Sequence, residues 1–279
     1  MNNFKTAFLL TALTLLLLFF GQLLGGPQGM TFALVFAVGM NLVAYFYSDK
    51  IALAMNGAQP VSREQAPRLY SIVERLVGQA NLPMPRLYMI PAAAPNAFAT
   101  GRNPQHAAVA VTQGILELMT DEELEGVIAH ELAHVRNRDI LISSVAAMIA
   151  GAITYLSYMG RFAMLFGGGG RDHDNRGGGF VALLMLILAP IAALIIQLAI
   201  SRSREYEADT TAARLTGHPY GLARALEKLG AYNKRIPMDV APSTAHLFIV
   251  KPLSGSTLMS LFSTHPPIEK RIARLLGRA

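Results

Sequence analysis

The sequence predicts a mostly helical α+β membrane protein with a small β-sheet and two hydrophobic hairpins, giving up to four transmembrane helices. Three observations predict this class. Only 15% of the 279 residues are charged, whereas about a quarter is usual in soluble proteins. The mean hydropathy is +0.37, and four apolar runs approach or reach the length of a membrane span. The segments beside these runs have the periodicities of amphipathic helices and short strands.

Composition narrows the chemistry. The net charge is +6, but the basic residues flank apolar runs and form no stripe with aromatic residues. We therefore expect a lipid bilayer as a partner and no nucleic acid. The chain has no cysteine, which excludes disulfides, thiol nucleophiles and thiolate ligands. A transition-metal site would have to use carboxylates and some of the seven histidines.

Residues 6–47 are predicted to form an N-terminal transmembrane hairpin. The apolar runs 8–24 and 30–47 are each long enough to cross a bilayer, and the glycine-rich stretch 25–29 joins them. A cleaved signal peptide is the alternative, but the first run is long, lacks a convincing small-residue cleavage site and is followed at once by the second. Basic residues precede and follow the pair, whereas the turn has none, so both ends are expected in the cytoplasm.

Residues 60–139 are expected to form the first half of a soluble domain. An amphipathic helix is predicted over 62–80, followed by three short strands over 86–90, 95–101 and 107–112. An edge strand of such a sheet can hold an extended peptide by main-chain pairing. From spacing alone, however, Asn96-Ala97-Phe98 is better explained as a turn with a core phenylalanine.

The stretch that follows predicts a helix with metal ligands. Thr120 and Glu123 form a capping box, and apolar residues recur at helical spacing through Val135. His130 and His134 fall one turn apart on one face, the spacing of two ligands of one Zn²⁺. Glu131 follows the first ligand, where a general base for an activated water belongs. The alternative is a solvated helix with two surface histidines.

Residues 140–200 predict a second hydrophobic hairpin with a Gly-rich loop. The runs 140–159 and 180–200 flank a linker over 161–179. A buried helix is the alternative for the first run, and the arginines of the linker weaken the assignment of both runs as spans. His173 lies in the linker, where a solvated histidine is expected more than a second metal ligand.

Residues 201–279 are expected to complete the domain and the metal site. Glu205 and Asp209 share a helix face, while Glu207 points away. We expect Glu205 to be the third ligand and Asp209 to accept the free ring N–H of a ligating histidine. His265 precedes two prolines and a basic final helix. It is a candidate donor to the oxyanion of a tetrahedral intermediate, with N-capping of that helix as the alternative.

Arg271, on the same final helix, is expected either to share the oxyanion role or to bind a lipid headgroup. His218 and His246 are expected to be ordinary surface or loop histidines. Together the residues predict one Zn²⁺ per chain and hydrolysis of a peptide by water, with Glu131 as the base and His265 assisting.

Two other classes of function are weighed against this prediction. In a membrane adaptor or transporter the zinc would be structural and closed by four protein ligands, whereas three are evident here. In an intramembrane protease the motif would lie inside an apolar span, but charged residues flank it on both sides.

Four ordered motifs carry a resemblance that covers essentially the whole chain. They are His130-Glu131-Leu132-Ala133-His134, Glu205 with Asp209, Asn96-Ala97-Phe98-Ala99-Thr100-Gly101, and Ser263-Thr264-His265-Pro266-Pro267. Their order between apolar runs resembles the HtpX family of bacterial membrane zinc endopeptidases, related to the CAAX prenyl proteases. The Gly-rich loop over 167–179 is not covered by these four motifs.

The resemblance implies a zincin-type fold of the gluzincin kind, with His130, His134 and Glu205 as zinc ligands, Glu131 as the base, and Asn96, Ala97, Phe98 and Ala99 along the substrate strand. It also implies a multi-pass protein of the bacterial inner membrane, a protease domain facing the cytoplasm, and quality control of damaged membrane proteins under stress. Protein and peptide substrates are therefore expected as partners, and homo-oligomerisation is left open.

Overall fold

The computed structural model describes residues 2–149, 202–233, 244, 247–249 and 265–278 of the chain. This part is mostly helical with one small mixed sheet, as the sequence predicts. Its elements in chain order are α1 (Asn2–Met55), β1 (Gln59–Pro60), α2 (Pro67–Ala80), β2 (Arg86–Ile90), β3 (Ala97–Thr100), a 3₁₀ turn (Pro104–His106), β4 (Ala108–Thr112), α3 (Gln113–Leu118), α4 (Asp121–Arg136), α5 (Ile140–Ile149), α6 (Arg202–Thr216), α7 (Tyr220–Asn233) and α8 (Ile268–Leu275).

The N-terminal apolar runs form the predicted hairpin within α1. Helical geometry is interrupted only at Gly25 and Gly26, so the turn is shorter than the predicted 25–29. Pro27 explains the difference, because proline lacks an N–H and fits the first turn of the second helix. The Asn41 Nδ2 donates to Thr14 Oγ1 at 2.9 Å across the hairpin. Both arms, Thr6–Leu23 and Gly25–Met55, are long and apolar enough to cross a membrane.

Helix α2 begins five residues later than the predicted start at residue 62. Its first residue is Pro67, whose fixed φ favours the first helical position, and Ser62 instead lies in a turn where its N–H donates to Gln65 Oε1 at 2.8 Å. The predicted apolar stripe is confirmed, and its buried residues are Leu69, Ile72, Val73, Leu76, Val77 and Ala80.

The sheet has the order β1-β2-β4-β3. Strands β2 and β4 are parallel, and the two outer pairs are antiparallel. The three predicted strands are confirmed, and β1 is an addition of two residues, too short to show a periodicity. Strand β3 lies at one edge of the sheet and contacts α4.

Helix α4 forms the centre of the domain. Its capping box is confirmed, because Thr120 N–H donates to Glu123 Oε2 at 2.9 Å and Glu123 N–H donates to Thr120 Oγ1 at 3.4 Å. One face packs into a core shared with the sheet, α2 and α7. At Gly126 the helix meets α7 so closely that a Cβ would overlap the Leu222 backbone nitrogen.

The C-terminal part contains the helices α6, α7 and α8, and the predicted final helix is α8. Gly217 ends α6 with a φ of +79°, and Pro219 precedes α7. Most of the second predicted hairpin, its Gly-rich loop with His173, and His246 lie outside the described residues. The division of the chain into 6–47, 60–139, 140–200 and 201–279 stays a prediction.

Candidate metal centre

Helix α4 places the side chains of His130 and His134 next to each other at the same cavity. The two Nε2 atoms are 3.2 Å apart, and the rings lie edge to face. His130 is 1% exposed and Glu131 is 2% exposed. The alternative of a solvated helix with two surface histidines is therefore wrong.

Glu205 reaches the two histidines from the first turn of α6. Its Oε2 lies 3.7 Å from His130 Nε2, and its Oε1 lies 3.6 Å from His134 Nε2. The three ligand atoms all lie within 4.8 Å of one another. A tetrahedral Zn²⁺ with bonds of about 2.0–2.1 Å has ligand atoms about 3.3 Å apart, which is close to these separations.

The donor set fits a metal for a second reason. Glu205 Oε2 is buried and has no hydrogen-bond partner in the described part of the chain. Such an atom is costly to bury unless a cation compensates it. Glu207, on the same helix, is exposed and points away, as the helical spacing predicts.

Asp209 lies where a support for His130 is expected. Its Oδ1 is 2.9 Å from His130 Nδ1. Arg271 donates to the same carboxylate twice, at 2.9 Å from Nε to Oδ2 and at 2.7 Å from Nη2 to Oδ1. Burial by itself would raise the pKa of Asp209, but the Arg271 guanidinium holds it far below its usual range. An ionised Asp209 keeps the proton of His130 on Nδ1 and leaves Nε2 free for a metal.

Asp139 gives His134 the same kind of support and was not singled out from the sequence. Its Oδ2 is 3.2 Å from His134 Nδ1, and Arg204 Nη1 lies 3.4 Å from its Oδ1. The turn after α4 produces this contact. Arg138 is left-handed, with a φ of +57°, and the Asp139 N–H returns to the His134 carbonyl at 3.0 Å. Each of the two histidines thus faces a carboxylate that is paired with an arginine.

Glu131 lines a cavity of about 30 Å³ beside the ligand atoms, room for one or two water-sized groups. Burial, together with repulsion by Glu205, raises the pKa of Glu131 to about 8. The Ala99 N–H donates a hydrogen bond to its carboxylate and opposes that shift. The carboxyl group is therefore held beside the position that a metal would occupy, with the Ala99 N–H fixing its orientation.

His265 reaches the same cavity from the other side. Its Nε2 lies 3.4 Å from Glu205 Oε2, and the side chain is 13% exposed. The alternative role as an N-cap is wrong, because α8 is capped by Pro267 without a side-chain hydrogen bond. Arg271 is 1% exposed, so the alternative that it binds a lipid headgroup is also wrong.

The predicted substrate strand coincides with β3, but only part of its main chain is open. Asn96 and Phe98 face β4, since the Thr112 N–H donates to the Asn96 carbonyl and pairing alternates along the strand. The Phe98 side chain is fully buried against Phe248, with ring centroids 5.0 Å apart. The Ala97 carbonyl accepts from the Ile249 N–H at 3.1 Å. Of these four residues, Ala99 alone lines the cavity.

Comparison with known proteins agrees with this fold and site. The model of peptidase family M48 matches residues 62–279. A Protease HtpX homolog of Desulfatibacillum aliphaticivorans is 61% identical over 277 residues, covering 99% of this chain and 89% of the relative. Another, of Thermodesulfovibrio yellowstonii, is 58% identical over 279 residues, covering 100% and 99%. The crystal structure of S. mikatae Ste24p matches with a TM-score of 0.52 and 20% identity, covering 98% of this chain and 64% of that longer one.

The similarity to Ste24p shows the fold alone, and the family match adds the chemistry. A helical domain with a small sheet, a His-His-Glu cluster and apolar N-terminal helices defines a membrane zinc metalloprotease. The chain belongs to peptidase family M48 and, within it, to the HtpX proteases.

Proposed function

We propose that the protein is an endopeptidase that uses one Zn²⁺ per chain, bound by His130, His134 and Glu205, with Glu131 as the general base. One observation carries this proposal. The three ligand atoms lie within 4.8 Å of one another, and Glu131 lines the same cavity. Three protein ligands leave a fourth position for water, as catalytic zinc sites require.

Bound zinc would supply Lewis acidity, lowering the pKa of water to about 7 and polarising the scissile carbonyl. Glu131 accepts the proton of the attacking water on its carboxylate and delivers it to the nitrogen of the leaving amine. Asp209 and Asp139 hold the two histidines with Nε2 towards the metal.

His265 and the edge of β3 are proposed to act on the substrate. His265 Nε2 is positioned at the cavity to donate a hydrogen bond to the developing oxyanion, a contact that strengthens in the transition state. Ala99 borders the same cavity; its N–H is engaged by Glu131, so its carbonyl is the main-chain group that would pair with a peptide in extended conformation. The remaining residues of the predicted substrate strand, Asn96, Ala97 and Phe98, would contribute by holding Ala99 in place.

We further propose that the substrates are damaged or misfolded membrane proteins and that the protein is a multi-pass protein of the bacterial inner membrane. The resemblance of the motifs to the HtpX family supports this role, and two helices long enough to span support the anchoring. The basic residues before and after the first hairpin support a catalytic domain that faces the cytoplasm.

The test is digestion of casein by the detergent-purified protein, with zinc or with a chelator, together with Glu131→Gln and the zinc content of each. We expect zinc-dependent cleavage by the wild type. The variant should retain its zinc and lose about 10²–10⁴-fold in turnover, the usual contribution of a general base. Glu122→Gln is the matched control, since Glu122 lies on the same helix and is exposed.

The outcomes separate the proposal from its rival. Cleavage by Glu131→Gln at the rate of the control would remove Glu131 from the mechanism. Zinc in both proteins without cleavage by either, on casein and on unfolded membrane proteins, would favour the adaptor or transporter with structural zinc.

A further inference from the structure

A groove with basic and aromatic walls lies at the end of the second arm of α1, on the far side of β2 from the core helix α4. Phe46 and Tyr47 end the apolar run and are 46% and 51% exposed. Lys50 follows them within one turn. Arg86 at the start of β2 and Arg102 before the 3₁₀ turn form the opposite wall. The groove has a volume of about 480 Å³, far larger than the metal cavity.

The positive charge of this groove is only partly neutralised. Three basic side chains face one carboxylate, and Asp49 Oδ2 is taken by Arg86 Nη2 at 2.6 Å. Within the part of the chain that the structure describes, no ion pair links Lys50 or Arg102 to a carboxylate. These two cations lie instead over aromatic rings, Lys50 at 5.1 Å from the Tyr47 centroid and Arg102 at 5.3 Å from that of Phe46.

Arg102 is also held in orientation by its neighbour. Its Nη2 donates to His106 Nε2 at 2.7 Å, and His106 Nδ1 lies 2.7 Å from Asn103 Oδ1. Because guanidinium is only a donor, His106 accepts on Nε2 and donates from Nδ1. One guanidinium edge is thereby used, and the others remain to donate to a bidentate acceptor such as a phosphodiester.

The position of the groove along α1 indicates which kind of anion it would bind. The run that ends at Tyr47 is part of a helix long and apolar enough to cross a membrane. Leu42 and Val43, just before it, are 55% and 40% exposed on the apolar arm. A ligand that places a phosphate between Lys50 and Arg102 can thus lay hydrocarbon chains along the same helix. Aromatic residues at this depth are those typical of the bilayer interface.

We propose that this groove is a binding site for the headgroup of one anionic phospholipid, with its phosphate between Lys50 and Arg102 and its acyl chains along the second arm of α1. Each basic residue near an anionic lipid surface contributes about fivefold in affinity. Replacing both should therefore weaken binding about 30-fold. The site is independent of the metal centre, because neither residue takes part in the catalytic machinery.

The experiment uses the full chain in a neutral detergent, titrated with short-chain phosphatidylglycerol, phosphatidylcholine or inorganic phosphate. Binding is followed by the rise in thermal unfolding midpoint and by counting bound lipids in native mass spectrometry. Lys50→Gln/Arg102→Gln is compared with Arg63→Gln/Arg75→Gln, which removes the same charge from two residues paired with Glu74 and Glu125. Arg102→Gln alone, with an expected fivefold loss, serves if the double variant fails to fold.

We expect phosphatidylglycerol to bind the wild type and the Arg63/Arg75 control equally, and the Lys50/Arg102 variant about 30-fold more weakly. Casein cleavage in lipid-free detergent should be the same in all three. Equal binding by all three, or equal losses in both variants, would overturn the proposal. So would phosphatidylcholine or inorganic phosphate binding as tightly as phosphatidylglycerol, since the site would then not select an anionic lipid. These measurements do not depend on peptide hydrolysis, so a failure of the proposed function would leave the test of lipid binding valid.

Discussion

Replacing Asp209 by asparagine tests how His130, a proposed metal ligand, is held. The carboxylate accepts one hydrogen bond from His130 and two from Arg271, at 2.7–2.9 Å. An amide of the same shape has one acceptor oxygen and no charge. The substitution therefore removes the closer of two carboxylates that face the buried Arg271 guanidinium and leaves Glu205 Oε2, 3.9 Å from its Nη1, as the other. Loss of the partner of a buried charge typically costs about 3–5 kcal/mol. The hydrogen bond that the amide oxygen retains recovers about 1.5–3 kcal/mol of this loss.

We therefore expect Asp209→Asn to lose about 2 kcal/mol of folding stability, a fall of about 4–8 °C in the unfolding midpoint for a domain of this size. Loss of the carboxylate behind a ligating histidine should also weaken zinc binding about 10–100-fold. Zinc affinity is measured by competition with a chromophoric chelator and the midpoint by calorimetry, both in detergent. Glu207→Gln, an exposed change of the same type on the same helix, should match the wild type.

A variant with wild-type zinc affinity and an unchanged midpoint would refute the reasoning, because it would mean that Asp209 neither orients His130 nor compensates Arg271. A lowered midpoint with unchanged zinc affinity would refute the orienting role alone. The two measurements thus separate the effect on the metal from the effect on the fold.

Three further predictions concern packing, pH and metal removal. Gly126→Ala should destabilise the fold by about 1–3 kcal/mol in chemical unfolding, because its Cβ would overlap the Leu222 nitrogen. Gly78→Ala, in open space on α2, should instead stabilise the fold by about 0.5–1 kcal/mol. Burial would raise the pKa of Glu123, but hydrogen bonds from Lys228 and Thr120 lower it below 4.5. Its contribution is therefore present above pH 4.5 and lost as the pH falls through the lower folded value, so unfolding midpoints of the wild type and Glu123→Gln should converge in acid. Removing zinc with a chelator should abolish cleavage and lower the free energy of unfolding by about 2.7 kcal/mol relative to the protein with zinc at 100 times its dissociation constant. Restored zinc should reverse both changes.

The central helix could be predicted from sequence because its signals are local. The capping box of Thr120 and Glu123 fixes where α4 begins, and helical spacing then fixes that His130 and His134 share a face. The strands β2 and β4 are equally local, since each is a short apolar run between turn residues. For α2 the apolar stripe predicts a start at residue 62, whereas the helix begins five residues later at Pro67, whose fixed φ is the local signal for its first turn.

Asp139 and the arginines that support the two histidines could not be predicted in the same way, because their contacts depend on the tertiary fold and not on local sequence. Asp139 reaches His134 only because Arg138 adopts a left-handed conformation that arginine rarely favours. Arg271 meets Asp209 from 62 residues away, and no periodicity connects them. The pairing of Arg204 with Asp139 and of Arg271 with Asp209 could be found only by asking which cations compensate buried carboxylates. That question requires the burial to be known.

The hydrogen bond between Ile249 and Ala97 has a consequence for how a peptide would enter. A peptide that pairs with β3 beyond Ala99 finds the Ala97 carbonyl already engaged, so binding there is strand exchange, and the affinity gained is only the difference between two similar bonds. The Ile249 carbonyl also accepts from Arg271 Nη1 at 3.0 Å. Displacing Ile249 would therefore take one acceptor from the arginine that holds Asp209 against His130. A peptide bound at the edge of β3 would in this way change the orientation of His130 through Arg271 and Asp209.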